Sequence, residues 1–440
     1  MNSDKRRRAV VMGASVAGLL AARVLSDTFG EVLVVDRDEL TDSPGRRRGV
    51  PQGQHVHGML ARGQQILEEY LPGITRELEA AGAVIGDVSG NVRWIMDGVA
   101  MSKADSGLLA VSVSRPVLEA HVRRRVRALA NVTFLDRTEA VGLIFDARER
   151  RVTGLRTVGR GQPDVVVELP SDLVVDTMGR GSPVPRWLAD QGWPVVPEDR
   201  TKVGLTYTTR HYKEGVEPSP GDISVDIVAT PDNPRGVICA RIDGGRQVVT
   251  AYGILGDAAP TDPEGFLDFV KSVSSPEVYE ALVDAEPLDD PVSYRFPASL
   301  RRRYESMASP PEGLLAMGDS VCSFNPTYGQ GMTVAALGAL VLGEHTAGDG
   351  PPDPAAYFRD LARDAVDEAW RQALSNDLAF PDVEGVRTPE ILADQEYVGR
   401  VLAAAQENGM VAAAYARVIG LVDRPEALRA PAVRAALKDE

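Results

Sequence analysis

The 440-residue chain has a formal net charge of −15, and 44% of its residues are hydrophobic and 25% charged. This composition is typical of a globular protein with two or three domains, and the acidic balance argues against a nucleic-acid partner, because cations must neutralise phosphates. Its two cysteines form no CxxC pair, and no apolar run reaches the roughly 18 residues of a membrane span, so we predict a cytoplasmic protein.

A dinucleotide-binding fingerprint lies near the start of the chain. An apolar run leads into the turn Gly13-Ala14-Ser15-Val16-Ala17-Gly18, and an Ala/Leu-rich helix follows. A second apolar run ends at Asp36, at the spacing of a carboxylate that accepts ribose hydroxyl groups. The pattern predicts a strand–turn–helix–strand unit that binds a pyrophosphate at the helix N-terminus. The alternative is an ordinary βαβ unit with glycines at its turn.

A polar segment with the sequence RRRGVPQGQHVH occupies residues 46–57. We predict that its His55 and His57 line a cofactor cleft, although an ordinary loop is an alternative. A zinc site would need a third ligand cluster, which the sequence lacks, so no metal ion is predicted. Further on, Ser114-Arg115-Pro116 starts a helix. Arg115 at the positive end of that helix suggests an anionic or polar ligand nearby.

The remaining pattern predicts four regions. Residues 1–200 form a Rossmann-like domain with a β-ribbon insert at about 132–168, and residues 201–300 form an antiparallel sheet that binds substrate. Residues 301–350 return to the first domain, and residues 351–440 form a helical region. The antiparallel sheet is predicted because no helix separates its strands. The predicted fold class is therefore α/β with an α+β insert.

A second glycine loop precedes a helix far along the chain. A buried strand ends on Gly318-Asp319, and Asn325-Pro326-x-x-Gly329-Gln330-Gly331 leads into an Ala/Leu-rich helix. A nicotinamide dehydrogenase needs only the first fingerprint, whereas a ligand longer than one nucleotide explains both loops. FAD fits this requirement, and the dipole of the second helix would then face the flavin ring. The alternative is that residues 329–331 merely start a helix.

Together, these motifs and the Asp176-x-x-Gly179 turn resemble those of FAD-dependent monooxygenases of the aromatic-hydroxylase (PHBH-like) fold. The resemblance covers nearly the whole chain. The segment Arg48-Gly49-Val50-Pro51-Gln52-x-x-His55-x-His57 is further similar to that of bacterial flavin epoxidases acting on polyether polyketide olefins, and of their terpenoid and aromatic-polyketide relatives. The resemblance implies a Rossmann-like FAD-binding domain, an antiparallel substrate domain and a C-terminal helical region.

The resemblance also implies roles for individual residues. The implied cofactor-binding residues are Gly13, Ala14, Ser15, Ala17, Gly18, Asp36, Arg37, Arg48, Arg115, Asp319, Gly329, Gln330, Gly331 and Met332. Among them, Arg48 would lie along the cofactor cleft, Arg115 would contact FAD from its helix start, and Asp319 would bind the ribityl or pyrophosphate region. His55 and His57 are the candidates for a catalytic base.

The implied reaction is transfer of one oxygen atom from a flavin C4a-hydroperoxide to an olefin of a polyketide or terpenoid natural product. Dioxygen would be the oxidant and NAD(P)H the reductant, acting directly or through a separate flavin reductase. The substrate is expected to be an apolar small molecule. Alternatives are an aromatic hydroxylase, an isoprenoid reductase, and a flavoprotein that binds FAD as a structural or sensing element. A flavin halogenase would need a Trp-x-Trp-x-Ile motif, which the sequence lacks.

Overall fold

The computed structural model describes residues 7–146, 148–215, 221–273, 276–348 and 350–437. The strands are β1 (Arg8–Met12), β2 (Glu31–Val35), β3 (Val84–Asp87), β4 (Val92–Met96), β5 (Val99–Ala100), β6 (Leu109–Ser112), β7 (Val132–Leu135), β8 (Thr138–Asp146), β9 (Arg151–Gly159), β10 (Gln162–Pro170), β11 (Leu173–Asp176), β12 (Glu198–Lys213), β13 (Ser224–Ile227), β14 (Arg235–Ile242), β15 (Arg246–Gly253), β16 (Val292–Arg302), β17 (Leu314–Ala316) and β18 (Cys322–Ser323). The α-helices are α1 (Val16–Leu25), α2 (Ala61–Tyr70), α3 (Ile74–Ala80), α4 (Arg115–Arg127), α5 (Val184–Asp190), α6 (Pro263–Lys271), α7 (Pro276–Val283), α8 (Gly331–Thr346), α9 (Pro354–Leu361), α10 (Asp367–Asp377), α11 (Pro389–Glu407), α12 (Gly409–Ile419) and α13 (Pro431–Ala436).

A parallel sheet with the strand order β17-β11-β1-β2-β7 forms the centre of the fold. Residues 9–12 of β1 have no solvent exposure, as expected for a central strand covered on both faces. Helices α1 and α8 contribute buried Ala and Leu side chains to the same core. The chain leaves β1 towards β2 on one side, whereas β11 lies on the other. A crevice therefore opens at the carboxyl ends of β1 and β11, where open parallel sheets bind ligands.

A three-stranded antiparallel ribbon, β10-β9-β8, begins at Thr138. Strand β7 lies within the region expected for this ribbon, but it pairs in parallel with β2 and extends the central sheet. Its apolar Val132 and Phe134 align with Val32 and Val34 of β2. The pairing with a buried neighbour explains why this strand belongs to the central sheet.

A second large sheet has the order β18-β16-β12-β15-β14-β13-β4-β5. Its pairs are antiparallel except for β13 and β4, which run in parallel. One face packs against α6 and α7 through residues such as Val225, Cys239 and Val249. We call the opposite face the inner face; it carries Tyr207, Thr209, Thr250, Tyr252, Tyr294 and Phe296. These residues share a face because they alternate with the core residues and align across paired strands.

The C-terminal region returns to both sheets. Helix α9 packs on β17, where Tyr357 OH donates to the Ala316 carbonyl oxygen at 3.1 Å. A π-helical turn, Ala362–Val366, connects α9 to α10. Helices α11, α12 and α13 form a separate apolar cluster that also contacts Met96 of β4. The end of the chain therefore supports the crevice side and the second sheet together.

The predicted α/β fold with an antiparallel second sheet is confirmed. The second sheet takes β4, β5 and β18 from outside residues 201–300, and the division of the chain into domains stays a prediction. Residues 1–6, 147, 216–220, 274–275, 349 and 438–440 of the predicted regions lie outside the described residues. Within the described part, no helix is both long and apolar enough to cross a membrane.

Candidate functional site

Two glycine residues let α1 approach the sheet at the end of β1. Gly13 has a φ angle of +102°, and a Cβ atom there would lie 2.8 Å from the Thr177 carbonyl oxygen. A Cβ atom on Gly18 would lie 1.8 Å from the Gly13 carbonyl oxygen. Both distances are too short for a side chain unless the backbone moves. The chain therefore turns tightly into the N-terminus of α1, an arrangement that binds anions.

Ser15, the N-cap residue of α1, uses its hydroxyl group to contact α4. Ser15 Oγ donates to Glu119 Oε1 at 2.6 Å and accepts from Arg115 Nη2 at 2.9 Å. Arg115 Nη2 also lies 3.0 Å from Glu119 Oε1. Burial opposes ionisation of Glu119, but the positive charges of Arg115 and Arg47 outweigh it and lower the Glu119 pKa. Ser15 thus joins the turn to a buried ion pair.

Asp36 holds the first glycine turn through its carboxylate. Asp36 Oδ2 accepts hydrogen bonds from the Ala14 N–H group and from Arg47 Nη2, both at 2.7 Å. Arg47 Nη1 also donates to the Ala14 carbonyl oxygen at 2.9 Å and to Glu119 Oε2 at 3.3 Å. Burial favours neutral Arg47, but the charges of Asp36 and Glu119 raise its pKa above the ordinary value. A positive charge therefore lies against the turn.

The structure places Arg47 against the turn, whereas the sequence predicted only that the neighbouring Arg48 lies along the cofactor cleft. The Arg47 side chain is 9% exposed, whereas Arg48 is exposed to solvent. The adjacent Gly49 N–H group donates to Asp38 Oδ2 at 2.8 Å and holds the loop in this orientation. The place of Arg48 along the cofactor cleft stays a prediction, and Arg47 is a further residue at the turn that the sequence did not single out. An irregular loop has no periodicity that would identify its inward-facing arginine.

Two further residues of this region are Glu119, which the sequence analysis missed, and Arg37, which it predicted. Glu119 was not identified from the sequence, although its four-residue spacing from Arg115 places both side chains on one helix face. Arg37, expected to bind the cofactor, has an exposed side chain. Its role stays a prediction.

A pocket of about 200 Å³ opens beside this charged cluster. Its walls come from residues 45–54 and from the first turns of α4, and they include Arg46, Arg47, Arg115 and Glu119. Three arginine side chains around one pocket favour an anionic group. This pocket lies next to the first glycine turn, because Arg47 and Arg115 contact both.

The second glycine loop packs directly on the first. Gly318 has a φ angle of +65°, and a Cβ atom there would lie 2.8 Å from Ala17 Cβ. Asp319 follows, and its Oδ1 atom lies 3.7 Å from the position of a Cβ atom on Gly331. The structure therefore brings Ala17, Asp319 and Gly331 to the same crevice.

The Asp319 carboxyl group lies in a sheltered position between the loops. Its Cβ atom is 3.9 Å from the position that a Cβ atom on Gly179 would take. Burial raises the Asp319 pKa above its ordinary value, while the charges of Arg115 and Arg180 oppose that rise. The carboxyl group is thus positioned to accept or donate a hydrogen bond to a ligand that lies between the two loops.

Asn325 organises the loop of residues 325–331, which precedes α8. Its Oδ1 atom accepts from the Thr327 N–H group at 3.1 Å and from Thr327 Oγ1 at 2.8 Å. Its Nδ2 atom donates to Asp377 Oδ1 at 2.8 Å, and Tyr328 OH donates to the same oxygen at 2.8 Å. Gly329, with a φ angle of +66°, then directs the chain into α8. The C-terminal region therefore helps to hold this loop.

Gln330 and Met332 flank the start of α8 and are 3% and 7% exposed. Gln330 Nε2 lies 3.5 Å from Gln372 Oε1 of α10. Gln330 Oε1 is buried and has no hydrogen-bond partner among the described residues. Because buried polar atoms are normally paired, this oxygen fits a donor group on a bound ligand.

His55 contacts the inner face of the second sheet. Its Nδ1 atom is hydrogen-bonded to Thr209 Oγ1 at 2.8 Å, and its ring meets Tyr207 edge-on at 4.6 Å between centroids. His55 is 4% exposed, and its Nε2 atom has no partner in the described part of the chain. Burial, followed by the charges of His211 and Arg46, lowers the His55 pKa to about 4. The ring is therefore neutral at pH 7.

His57 belongs to the same segment but bonds differently. Its Nδ1 atom is hydrogen-bonded to the His55 carbonyl oxygen at 2.9 Å. Burial, followed by the positive charge of Arg115, lowers the His57 pKa to about 3. His57 thus lies near the charged cluster of the first turn, and His55 lies on the aromatic wall of the second sheet. A catalytic role for either ring stays a prediction.

Together, the parts of the site could hold a long ligand, one segment of which is anionic. The glycine turn, Arg47 and Arg115 lie together at one end, where their N–H groups and charges could hold an anion. Asp319 and the N-terminus of α8 lie further along the crevice, and the inner face with His55 borders it on the other side. Within the described residues, no group of three or more His, Cys, Asp or Glu side chains is arranged to hold a metal ion.

No family model matches the chain. Protein Rv3254 of Mycobacterium tuberculosis (strain ATCC 25618 / H37Rv) is 35% identical to it over 350 residues, which cover 76% of this chain and 72% of that protein. This level of identity and coverage is enough to establish common family membership.

Solved structures of flavin enzymes share the fold. The flavin-dependent brominase Bmp2 superposes with a TM-score of 0.67 at 16% identity, over 94% of this chain and 93% of that one. The protein pqsL, a probable FAD-dependent monooxygenase from Pseudomonas aeruginosa, superposes with a TM-score of 0.60 at 15% identity, over 85% of this chain and 98% of that one. The predicted PHBH-like monooxygenase fold is therefore confirmed.

The close approach at Gly18 generates the first prediction. Gly18→Ala places a Cβ atom against the Gly13 carbonyl oxygen, and we expect it to lower the free energy of unfolding by about 3 kcal/mol or more. Gly399→Ala is the matched control, because Gly399 lies in α11 with open space around it, and alanine should stabilise that helix by up to about 1 kcal/mol. Urea denaturation of both variants measures this difference. Equal stability of Gly18→Ala and the wild type would contradict the packing argument.

The buried Asp377 carboxyl group predicts a pH dependence. Burial raises its pKa to about 6, against the hydrogen bonds from Asn325, Tyr328 and Ser299. The folded state therefore binds this proton more tightly than the unfolded state does. The stability that protonation of Asp377 contributes is lost as the pH rises from about 4 through 6. Asp377→Asn removes that titration, so its stability relative to the wild type should increase over this range by roughly 2 to 3 kcal/mol.

Urea denaturation at several pH values between 4.5 and 7.5 tests this expectation. Asp382→Asn, which changes an exposed acid shortly after Asp377, is the control for a general effect of removing one negative charge. A stability difference for Asp377→Asn that stays constant with pH would show that the carboxyl group does not titrate in this range.

Proposed function

Because the chain belongs to the same family as Protein Rv3254 of Mycobacterium tuberculosis and shares the fold of flavin enzymes, we propose that it is an FAD-dependent monooxygenase. The observation that carries this proposal is the meeting of two glycine loops, around Gly13 and Gly331, at one crevice. A single nucleotide would fill one loop, whereas FAD is long enough to reach both. The proposed reaction is epoxidation of an olefin in a polyketide or terpenoid, with aromatic hydroxylation as the alternative.

The residues of the crevice fit FAD. Gly13 and Gly18 form a cradle that side chains would fill, and Arg47 and Arg115 supply positive charge for a pyrophosphate. Asp36 supplies the carboxylate that would accept ribose hydroxyl groups, once Arg47 releases part of its hydrogen bonding. These assignments place the adenosine end of FAD at the first turn.

The other end of FAD would lie near the second loop. Asp319 is positioned to bind the ribityl chain, and the unpartnered Gln330 Oε1 could accept a hydrogen bond from the ring. The N-terminus of α8 at Gly331 directs the positive end of the helix dipole to this position. That dipole would stabilise the negative charge carried by a reduced flavin.

FAD, when bound and reduced, supplies the electrons that allow one atom of dioxygen to enter the substrate and the other to leave as water. The chain's own residues must orient the substrate and exclude water. The inner face, with Tyr207, Tyr252, Tyr294 and Phe296, would provide an apolar wall for this purpose. NAD(P)H, acting directly or through a separate reductase, is the proposed source of electrons.

The two histidines receive different proposed roles. An olefin needs no base, whereas a phenolic substrate would be activated by one. Neutral His55, with its unpartnered Nε2 atom on the inner face, could accept a hydrogen bond or proton from a substrate hydroxyl group. His57, near Arg115, would instead border the cofactor side.

Halogenation is a second outcome to consider, because Bmp2 is a flavin-dependent brominase. The sequence lacks the expected tryptophan motif, and Trp193 packs against Phe145 of β8, with ring centroids 5.1 Å apart. The indole ring of Trp193 is therefore packed in the core beside the ribbon. The oxygenase proposal is favoured on this ground.

Three measurements on the purified protein test the proposal. The visible spectrum after addition of FAD reports binding, and anaerobic reduction followed by oxygen measures reoxidation. Incubation of the reduced protein with a panel of olefins and phenols under labelled dioxygen should give products that contain one labelled oxygen atom. Failure to bind flavin would overturn the proposal, as would halogenated products in the presence of bromide or olefin reduction without oxygen.

The arginine pair gives a prediction specific to the proposed FAD site. Arg47→Gln removes buried, charge-assisted hydrogen bonds to the turn, so we expect FAD affinity to fall by about tenfold to a hundredfold. Arg48→Gln changes an exposed side chain and should alter affinity by less than about threefold. Flavin fluorescence titration measures both dissociation constants. A larger loss in Arg48→Gln than in Arg47→Gln would contradict this expectation and support the role of Arg48 predicted from the sequence.

A further inference from the structure

The segment after α10 forms a cap over the inner face of the second sheet. We define the cap as residues 378–388. Its Leu378, Phe380 and Val383 are 2%, 5% and 1% exposed. They belong to one apolar cluster with inner-face residues, namely Tyr207, Tyr252 and Phe296. The cap therefore covers the wall to which we assign the substrate.

A single arginine side chain holds the cap in shape. Arg387 Nε donates to the Leu378 carbonyl oxygen at 3.0 Å, and Nη2 donates to the Phe380 and Val383 carbonyl oxygens at 2.8 and 3.0 Å. The same guanidinium group reaches the carbonyl oxygens of Pro381 and Gly385 at 3.1 and 3.4 Å. Hydrogen bonds from one charged group to five carbonyls make the cap a compact unit rather than an open loop.

The residue immediately before the cap binds the 325–331 loop. Asp377, 2% exposed, accepts hydrogen bonds from Asn325 and Tyr328 on the same oxygen atom. Its other oxygen is 3.4 Å from Ser299 Oγ, which accepts from the Asn325 N–H group at 3.1 Å. One end of this short segment therefore contacts the loop assigned to the cofactor, and the other end contacts the wall assigned to the substrate.

From this geometry we propose that Asp377 is a positioning residue that couples the 325–331 loop to the cap, so that both open and close as one unit. Leu378 begins the cap at the next peptide bond, so a movement of the cap pulls directly on the carboxylate that holds Asn325 and Tyr328. The identity of the two ligands rests on the proposed function, but the mechanical coupling does not.

The coupling has a thermodynamic consequence. A ligand that orders the 325–331 loop also favours the closed cap, and a substrate beneath the cap favours the ordered loop by the same free energy. The cofactor and the substrate would therefore each strengthen the binding of the other, although they contact different segments. Closure of the cap would also exclude water when both are present.

Hydrogen–deuterium exchange of the full chain tests the coupling without any ligand. Arg387→Ala removes the contacts that shape the cap and touches no residue of the 325–331 loop. We expect amide exchange to rise about tenfold in the cap and also in residues 325–331, because the loss of charge-assisted hydrogen bonds is transmitted through Asp377. Asp382→Asn, an exposed change within the cap, should leave exchange in both segments at the wild-type rate.

Asp377 variants identify the connection. Asp377→Ala should raise exchange in residues 325–331, and adding Arg387→Ala to it should then loosen the cap alone. Asp377→Asn, which retains one acceptor oxygen, should partly restore protection and serves if the alanine variant does not fold. Two results would overturn the coupling. In the first, Arg387→Ala alone raises exchange only in the cap. In the second, Arg387→Ala still raises exchange in residues 325–331 when Asp377 has been replaced.

FAD adds an independent arm to the same measurement. Saturating FAD should slow exchange in the cap of the wild type but not in the cap of Asp377→Ala, although both bind flavin by fluorescence. Equal protection of the two caps would overturn the role of Asp377. If the wild type bound no FAD, the proposed function would fail, while the ligand-free exchange of the Arg387→Ala variant would still decide whether the segments are coupled.

Discussion

The rest of the site depends on close packing at two glycine residues, where a side chain would not fit. At Gly18 and at Gly318, the space that a Cβ atom would need is taken by the Gly13 carbonyl oxygen and by Ala17. Because α1 lies so close to the end of β1, the loop after β17 can pack on the same helix. Two segments that are distant in the chain thereby border one crevice at the carboxyl ends of parallel strands.

The buried charged residues beside the first glycine turn are paired with one another. Arg47 lies between Asp36 and Glu119, and Arg115 lies between Glu119 and Ser15. Pairing of this kind offsets the cost of taking ions out of water and keeps the side chains in fixed orientations. The arginines are already held in place, so a bound phosphate could replace a carboxylate as their hydrogen-bond partner.

Side chains along each strand of the second sheet point alternately to its two faces. Side chains such as Val225 and Val249 point to α6 and α7 and form a core, whereas Tyr207 and Phe296 point to the crevice side. The C-terminal region closes that side through α10 and the cap. The fold thus gives the crevice and the inner face separate supports, and Asp377 is where these supports meet.

Much of the fold was predictable, because the features that define it are local. The glycine turn at residues 13–18, the acid at Asp36 and the loop before α8 each encode a backbone conformation in a short segment. The apolar runs next to the glycine turns likewise predict a parallel sheet, and the absence of a helix between the strands of residues 201–255 predicts an antiparallel one. Arg115 was identified because its position at a helix start is visible in the sequence.

The sequence by itself therefore determined the fold class, the two loops and the kind of ligand that they favour. Only the tertiary structure decided that Arg47 rather than Arg48 faces the turn, that β7 joins the central sheet, and that Asp377 holds the 325–331 loop. The reason is physical: side-chain direction in an irregular loop has no period, and contacts between distant segments depend on how the assembled elements pack.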